Sequence, residues 1–281
     1  MSIEQWFYSL PWRLRSFFLR NRADEEMKEE LREHLDQQIS DNIAKGMSAE
    51  EARLLWGCGA NGMVSPFLDN TKILQRNDKS GTQGIVVHAL GLSPSKLFGA
   101  SVGAAAIVSS LSTDASFLTD GIGFIAGDLY DANKGTLNAV AFQAFNQTGA
   151  FYADSRPGIY DRKNVRDGHY VVWGPEHFYA KVDTSGVPTS AAAKQFLGSQ
   201  DGTMYASNFN YLQLQTLGGV VPQCAMKVKR LADGGPTMPN TVTDPCGCYY
   251  EKVRTGATTC KSCSTNGDCT GGTSCHHGYC E

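Results

Sequence analysis

The most informative segment of the sequence runs Arg76-Asn77-Asp78-Lys79-Ser80-Gly81-Thr82-Gln83. It follows the apolar pair Ile73-Leu74 and precedes residues 85–90, whose apolar side chains have helical spacing. A short strand, a polar loop and a helix in this order predict an α/β unit. The helix is expected to begin at Gly81, with the loop at the carboxyl end of the strand.

The same segment has the residue types of an oxyanion site at a helix N-terminus. Backbone N–H groups in the first turn lack partners and carry partial positive charge. Ser80 and Thr82 supply hydroxyl donors, Gly81 permits close approach, and Arg76 offers a planar fork that Asp78 is expected to orient. The alternative is an ordinary helix cap beside a surface arginine. The candidate anion-binding residues are Arg76, Asp78, Ser80, Gly81, Thr82 and Gln83.

The pattern R-x-D-x-S-G-T after a strand resembles the anion-binding segment of periplasmic phosphate-binding proteins, the substrate-binding components of phosphate ABC importers. In that family the arginine, serine, glycine and threonine of the segment contact phosphate. The resemblance therefore implies the same role for Arg76, Ser80, Gly81 and Thr82. It also implies a protein that binds phosphate or sulfate without catalysing a reaction.

Two further segments resemble the same family in the expected order. One is similar to a buried strand that follows a helix, Gly121-Ile122-Gly123-Phe124-Ile125, and the other to the segment that returns toward the hinge, residues 164–175. The resemblance covers residues 68–230 and implies the second lobe of a two-lobed protein. Because the first lobe is replaced by other sequence, weak binding is expected.

Composition and charge narrow the function classes. The chain has 281 residues, of which 41% are hydrophobic, so it can bury a core, and its length favours two domains. Its net charge is −3, and its sequence has no cluster of basic residues interleaved with aromatic residues that could bind a nucleic acid. No nucleic-acid partner is therefore expected.

Cysteine placement indicates a disulfide-rich tail. Cys58 stands alone, and eight cysteines follow in the last sixty or so residues: Cys224, Cys246, Cys248, Cys260, Cys263, Cys269, Cys275 and Cys280. An even set in a Gly/Thr/Ser-rich segment predicts disulfides, a free Cys58 and a periplasmic or extracellular location. Zinc is the alternative, since Cys260-x-x-Cys263 and His276-His277 are ligand types, but a second cysteine pair is missing. No metal or other cofactor is expected.

The N-terminal sequence does not fit export. Residues 1–22 lack the uninterrupted apolar core and the cleavage site of a signal peptide, because arginines interrupt them. The most apolar stretch, residues 97–111, is too short and too rich in small residues for a membrane span.

Residues 1–57 are a compositionally separate, helical block. They resemble the prefix that precedes the first membrane helix of FtsX-like ABC exporter permeases, most specifically at Gly46-Met47-Ser48-Ala49-Glu50-Glu51-Ala52-Arg53. Ser48 with Glu51 predicts a capping box for a helix over residues 49–56. The resemblance implies an ABC permease as partner. Contact of the first helix with a membrane surface and simple packing of a helical hairpin are the alternatives.

The expected organisation is an α/β fold with a single periplasmic-binding-protein-like lobe. A helical domain (1–57) and a linker (58–71) precede the lobe (72–230), and the cysteine-rich tail (231–281), with turns and little else, follows it. Within the lobe we expect strands at 72–76, 121–126, 136–145 and 168–182, and helices at 81–90, 94–99, 104–112, 188–199 and 205–217.

Other polar residues give no catalytic pattern. His169 lies near Asp167 and His177 in sequence, but no nucleophile motif accompanies it, so a structural histidine is expected. Asp128 and Asp131 are expected to be loop caps. An enzyme is therefore the weakest hypothesis. A solute-binding module linked to ABC transport is the strongest, and an accessory protein with a vestigial anion site, or a fusion of unrelated pieces, is the alternative.

Overall fold

The chain divides into two units, residues 1–45 and 46–281. A computed structural model describes residues 46–133, 135–201 and 210–281. The helices expected before residue 46 and the first residues of the helix expected at 205–217 lie outside this part of the chain.

The described residues form short helices and very short strands. The α-helices are α1 (Ala49–Cys58), α2 (Gly81–Ala89), α3 (Ala104–Thr113), α4 (Gly127–Ala132), α5 (Lys163–Arg166), α6 (Ala191–Asp201), α7 (Tyr211–Leu217) and α8 (Gly247–Thr255). The strands are β1 (Met47–Ser48), β2 (Leu74–Gln75), β3 (Ala100–Ser101), β4 (Phe142–Gln143), β5 (Val228–Lys229), β6 (Met238–Pro239), β7 (Cys275–His276) and β8 (Tyr279–Cys280). The fold is therefore mixed helix and strand, with two-stranded sheets.

The centre of the fold is a small parallel arrangement around β2. Strand β3 pairs with one side of β2, with Leu74 opposite Ala100. On the other side, the Leu74 N–H donates to the Ile122 carbonyl at 2.8 Å, and Ile122 forms a parallel bridge with Ile73. The chain thus runs from β2 through α2 to β3 on one side, and then through α3 to Ile122 on the other. The carboxyl ends of all three segments lie at one edge.

One glycine permits this packing. A Cβ added at Gly123 would lie 2.9 Å from a methyl of Ile107 in α3 and 3.2 Å from Leu74 Cβ. Only glycine lets the helix approach the strands this closely.

Helix α1 belongs to the same core as these strands. Leu55 and Trp56 are buried and pack in one cluster with Ile73, Leu90 and Ile122. The expected capping box of this helix is confirmed, since the Glu51 N–H donates to Ser48 Oγ and the Ser48 N–H donates to the Glu51 carboxylate. The boundary between units therefore falls before Gly46, whereas the sequence placed it after residue 57. Helix α1 has an apolar face that must be buried, but the sequence alone could not identify the residues that cover it.

The segment expected to be a linker, residues 58–71, also packs on this core. Val64 is buried and Phe67 lies against the cluster, while Asn70 Oδ1 accepts a hydrogen bond of 2.6 Å from the Ala60 N–H. Its glycines and proline mark turns inside the unit.

Three expected strands are much shorter in the structure. Residues 121–126 contribute only the bridge at Ile122, and residues 136–145 only β4. Residues 168–182 run without strand pairing except at Val182. Arg230 holds part of this segment instead, because its guanidinium donates to the backbone carbonyls of Val171 and Trp173. The Arg230 side chain thus supplies hydrogen bonds that a neighbouring strand would have supplied if this segment were a strand, as its apolar pattern suggested.

Helix expectations are met unevenly. Helix α2 ends one residue before its expected end and α3 one residue after, whereas the helix expected at 94–99 is a 3-10 turn, Pro94–Lys96. Sequence reasoning missed α4, α5 and the tail helix α8.

The tail is confirmed as disulfide-rich. The pairs are Cys224–Cys246, Cys248–Cys260, Cys263–Cys275 and Cys269–Cys280, and Cys58 is free and exposed. Their Cα separations range from 5.2 to 5.9 Å, which is ordinary for disulfides. The tail also has a core, since Cys246 and Tyr250 of the α8 region are fully buried beside Ala225. Sequence reasoning expected only turns here because α8 is short and its apolar positions include cysteines. None of the described helices has the length and apolarity to cross a bilayer.

Candidate functional site

Residues 76–80 join the carboxyl end of β2 to helix α2. Ser80 has extended backbone angles and forms the N-cap, and its carbonyl accepts the first helical hydrogen bond, from Gly84 N–H at 3.0 Å. Within the described parts of the chain, the N–H groups of Gly81, Thr82 and Gln83 make no hydrogen bond. The first turn of α2 therefore presents three free donors, as the sequence predicted for this position.

Arg76 stands directly after the strand and is half-buried. Its Nε is shielded from solvent and has no hydrogen-bond partner among the described residues. A buried guanidinium N–H without an acceptor is unfavourable. An anion within reach of Nε would supply the acceptor.

The expected pairing of Asp78 with Arg76 is not seen. Within the described residues, no hydrogen bond or ion pair joins the two side chains, and Asp78 is exposed in the loop. An exposed carboxylate keeps its hydration, so it gains little by ordering itself against a half-buried arginine. Asp78 therefore does not fix the orientation of Arg76.

Ser80 and Thr82 leave their hydroxyl groups available. Both side chains are half-buried, and neither hydroxyl forms a hydrogen bond with another described residue. Ser80 thus does not cap the helix with its side chain, which weakens the ordinary-cap alternative. A Cβ added at Gly81 would meet no described atom within 4 Å, so packing does not require this glycine. The space beside it is open.

Gln83 has a different role from the one its position suggested. Its side chain is 2% exposed, and its Nε2 donates to the Pro94 carbonyl at 3.4 Å. The side chain thus belongs to the packing between α2 and the following turn. Only its backbone N–H belongs to the free first turn.

The histidines near the second half of the lobe do not form a catalytic pair with Asp167. His169 stacks on Phe151, with 5.0 Å between ring centroids. Asp167 instead accepts from Lys163 and Lys227, at 2.6 and 2.9 Å. Partial burial acts to raise the pKa of Asp167, but the two lysines outweigh it and hold that pKa below its usual value.

The sequence suggested that Asp131 is a loop cap, but the structure gives it a different role. It is a buried carboxylate that binds two arginines, Arg162 at 2.5 Å and Arg254 through its other oxygen. Arg162 also binds Asp154 at 2.7 Å. Burial acts to lower the pKa of Arg162, but Asp154 and Asp131 outweigh it and raise that pKa. No local pattern signals this network, because Arg254 and Asp131 are 123 residues apart.

The disulfide pairing bears on the alternative that tail cysteines bind zinc. The Sγ atoms of Cys263, Cys269 and Cys280 lie within 4.8 Å of one another. All three belong to disulfides, so they offer no thiolate ligand in the oxidised protein.

No family model matches the chain, and no curated protein or solved structure shows significant similarity to it. The resemblance of residues 76–82 to phosphate-binding proteins therefore stays a prediction from the sequence.

Proposed function

We propose that this protein is a non-enzymatic solute-binding module that holds phosphate or a similar oxyanion at the start of α2. One observation carries the proposal. The half-buried Arg76 has an unpartnered Nε and precedes a helix start with three free N–H groups, within the part of the chain that is described. The hydroxyls of Ser80 and Thr82 add two donors beside them.

The position of this loop in the fold supports the same function. In parallel α/β arrangements, ligands bind outside the carboxyl ends of the strands, where the winding of the chain changes direction. Strand β2 lies between β3 and Ile122, so its carboxyl end is such a point. Arg76 is the next residue. This arrangement is consistent with one lobe of a periplasmic binding protein.

The expected affinity is low. A single lobe leaves one side of the anion in water, so only part of its hydration is replaced by protein donors. A dissociation constant on the order of 1 mM corresponds to about −4 kcal/mol, which a few charge-assisted hydrogen bonds supply. A tighter site needs a second surface, such as an ABC permease or another binding lobe.

The four disulfides indicate an oxidising compartment, extracellular or periplasmic. Anion capture there is compatible with a role in ABC import.

An accessory protein with a vestigial anion site is the second candidate. The exposed aromatic pair Phe178 and Phe196, with 5.0 Å between centroids, favours it, because exposed aromatic side chains are common at protein interfaces. Isothermal titration calorimetry of the full chain with sodium phosphate, against sodium chloride at equal ionic strength, separates the two. Saturable heat that sulfate competes away supports solute binding. No heat at 10–20 times the expected dissociation constant, or roughly 10–20 mM, supports the accessory role.

A further inference from the structure

We propose that Asn146 is an attachment site for an N-linked oligosaccharide. An asparagine followed two positions later by serine or threonine, with no proline between them, is the acceptor pattern for this modification. Among the asparagines of the whole sequence, only Asn146 has this pattern, in Asn146-Gln147-Thr148. The proposal does not rest on anion binding at the start of α2.

The tripeptide lies in a loop that is closed at its base. Strand β4 leads into the loop, and Phe142 and Phe151 close it with two backbone hydrogen bonds of 2.9 Å. Asn146 lies in the turn of this loop with φ +66°. Asparagine tolerates this left-handed region better than most residues, so the turn alone accounts for the residue type. The argument for an acceptor therefore depends on the exposure of the tripeptide and on Thr148.

The two residues that define the acceptor pattern are accessible. Asn146 and Thr148 are both exposed. Within the described residues, neither the Asn146 amide nor the Thr148 hydroxyl forms a hydrogen bond. An oligosaccharide at Asn146 Nδ2 thus requires no contact of the described fold to break.

The middle residue of the tripeptide anchors the loop. Gln147 Nε2 donates to the His169 carbonyl at 2.7 Å, and Gln147 Oε1 accepts from the Ala144 N–H at 2.9 Å. The acceptor pattern allows any residue except proline at this position. The loop is therefore held by the side chain that the pattern does not specify, while Asn146 and Thr148 stay available.

An exposed aromatic ring precedes the acceptor. Phe145 is 38% exposed and adjoins Asn146 in sequence. A pyranose ring has an apolar C–H face, and covering exposed apolar surface is favourable in water. An oligosaccharide at Asn146 would therefore shield a side chain that otherwise lies partly in water.

The compartment fits this modification. Four disulfides indicate an oxidising, extracellular or periplasmic location, and N-linked oligosaccharides are found on secreted proteins. The donor class is an oligosaccharide linked to a lipid pyrophosphate. A transferase joins Asn146 Nδ2 to C1 of the first sugar, and the C1–O bond to the pyrophosphate breaks. The lipid pyrophosphate leaves with the bonding electrons, and the amide nitrogen gives one proton to a base of the transferase.

The test is peptide mapping of the full chain purified from the cells that produce it. Trypsin leaves Asn138 and Asn146 in one peptide, residues 135–162, because a proline follows Arg156. An amidase specific for N-linked oligosaccharides converts the linked asparagine to aspartate, and a digest without the amidase measures spontaneous deamidation. The treated protein should have aspartate at position 146. Asn138 is the internal control and should stay asparagine, because no hydroxyl residue stands two positions after it.

Two variants at Thr148 test whether the tripeptide is recognised. Thr148→Ala keeps the asparagine but removes the hydroxyl, so the oligosaccharide should be lost. Thr148→Ser keeps the hydroxyl and should retain the oligosaccharide. Thr148 is exposed, so both variants should fold, and disulfide mapping verifies this. An unmodified Asn146 in the native chain, or equal modification of the two variants, overturns the proposal.

Discussion

Arg162 and Asp131 form a buried ion pair, with 2.5 Å between Nη2 and Oδ1. The other oxygen of Asp131 binds Arg254 of the tail helix α8, so a single carboxylate joins α4, the loop before α5 and the tail. The tail is thus attached to the rest of the unit by buried charge as well as by the Cys224–Cys246 disulfide.

Removing the charge at Asp131 should destabilise the unit strongly. Asp131→Asn leaves two buried guanidinium groups without their shared carboxylate, and breaking a buried pair in this way typically costs about 3–5 kcal/mol. Urea denaturation at pH 7 measures the free energy of unfolding. Asp128→Asn is the control, since Asp128 is exposed on the same helix and its loss should change stability by less than about 0.5 kcal/mol. Equal effects of the two changes would refute the network's role.

Tyr250 should make the protein sensitive to alkali. Burial raises the pKa of Tyr250 to about 12, so the folded state retains a proton that the unfolded state loses near pH 10. Stability contributed by the neutral ring is complete below pH 10 and falls as the pH rises toward about 12.

Tyr250→Phe tests this. Its hydroxyl has no partner among the described residues, so the change should alter stability at pH 7 by less than about 1 kcal/mol and reduce the loss above pH 10. Denaturation at pH 7, 10 and 11 measures both, in the Cys58→Ser background to prevent thiol exchange. Tyr179→Phe is the control, because that ring is 93% exposed. A variant that loses stability above pH 10 as fast as the parent contradicts the assignment.

The Cys224–Cys246 disulfide should contribute to stability. Replacing both cysteines with alanine should lower the free energy of unfolding by about 2–4 kcal/mol, since the bridge restricts the unfolded chain. Cys246 is fully buried, so part of the loss will come from packing. Cys58→Ser should leave stability unchanged, and alkylation of the native protein should modify Cys58 alone. Modification of tail cysteines without a reductant would show that the pairing is wrong.

The hydroxyl groups of the candidate site should contribute separately. Ser80→Ala and Thr82→Val should each weaken phosphate binding by about 1–3 kcal/mol, because each leaves one anion oxygen without a donor. Ser95→Ala, in the turn after α2, is the control. Calorimetry gives the affinities, and unchanged binding in both variants would leave only the backbone N–H groups and Arg76 as ligands.

Sequence reasoning succeeded where the signal is local. The capping box of Ser48 and Glu51, the start of α2 at Gly81, and the disulfide-rich tail depend on residues close together in the chain. Their physical causes are helix capping, turn geometry and cysteine density.

The remaining features depend on distant residues. The apolar pattern of residues 168–182 suggested a strand, but Arg230, 57 residues beyond Trp173, holds part of the segment by its carbonyls. Asp131 looked like a cap because its two arginines are far away in sequence, and Asp78 looked like a partner for Arg76 because it is near. The contact between Asp78 and Arg76 was expected because the residues are close in sequence, and it is not seen. The contacts of Asp131 with its arginines were not expected because those residues are distant in sequence.

The proposal that an oxyanion binds at the start of α2 is tested most directly by titrating phosphate into the Arg76→Gln variant and into the control variant Arg53→Gln. Both changes remove one positive charge, but Arg53 is exposed on α1 and lies outside the site. A hydrogen bond to a charged group is worth about 1.5–3 kcal/mol, so Arg76→Gln should weaken phosphate binding roughly 10- to 100-fold while Arg53→Gln retains the parent affinity. Equal affinity of the two variants, or a parent chain that binds no phosphate, would contradict the oxyanion site.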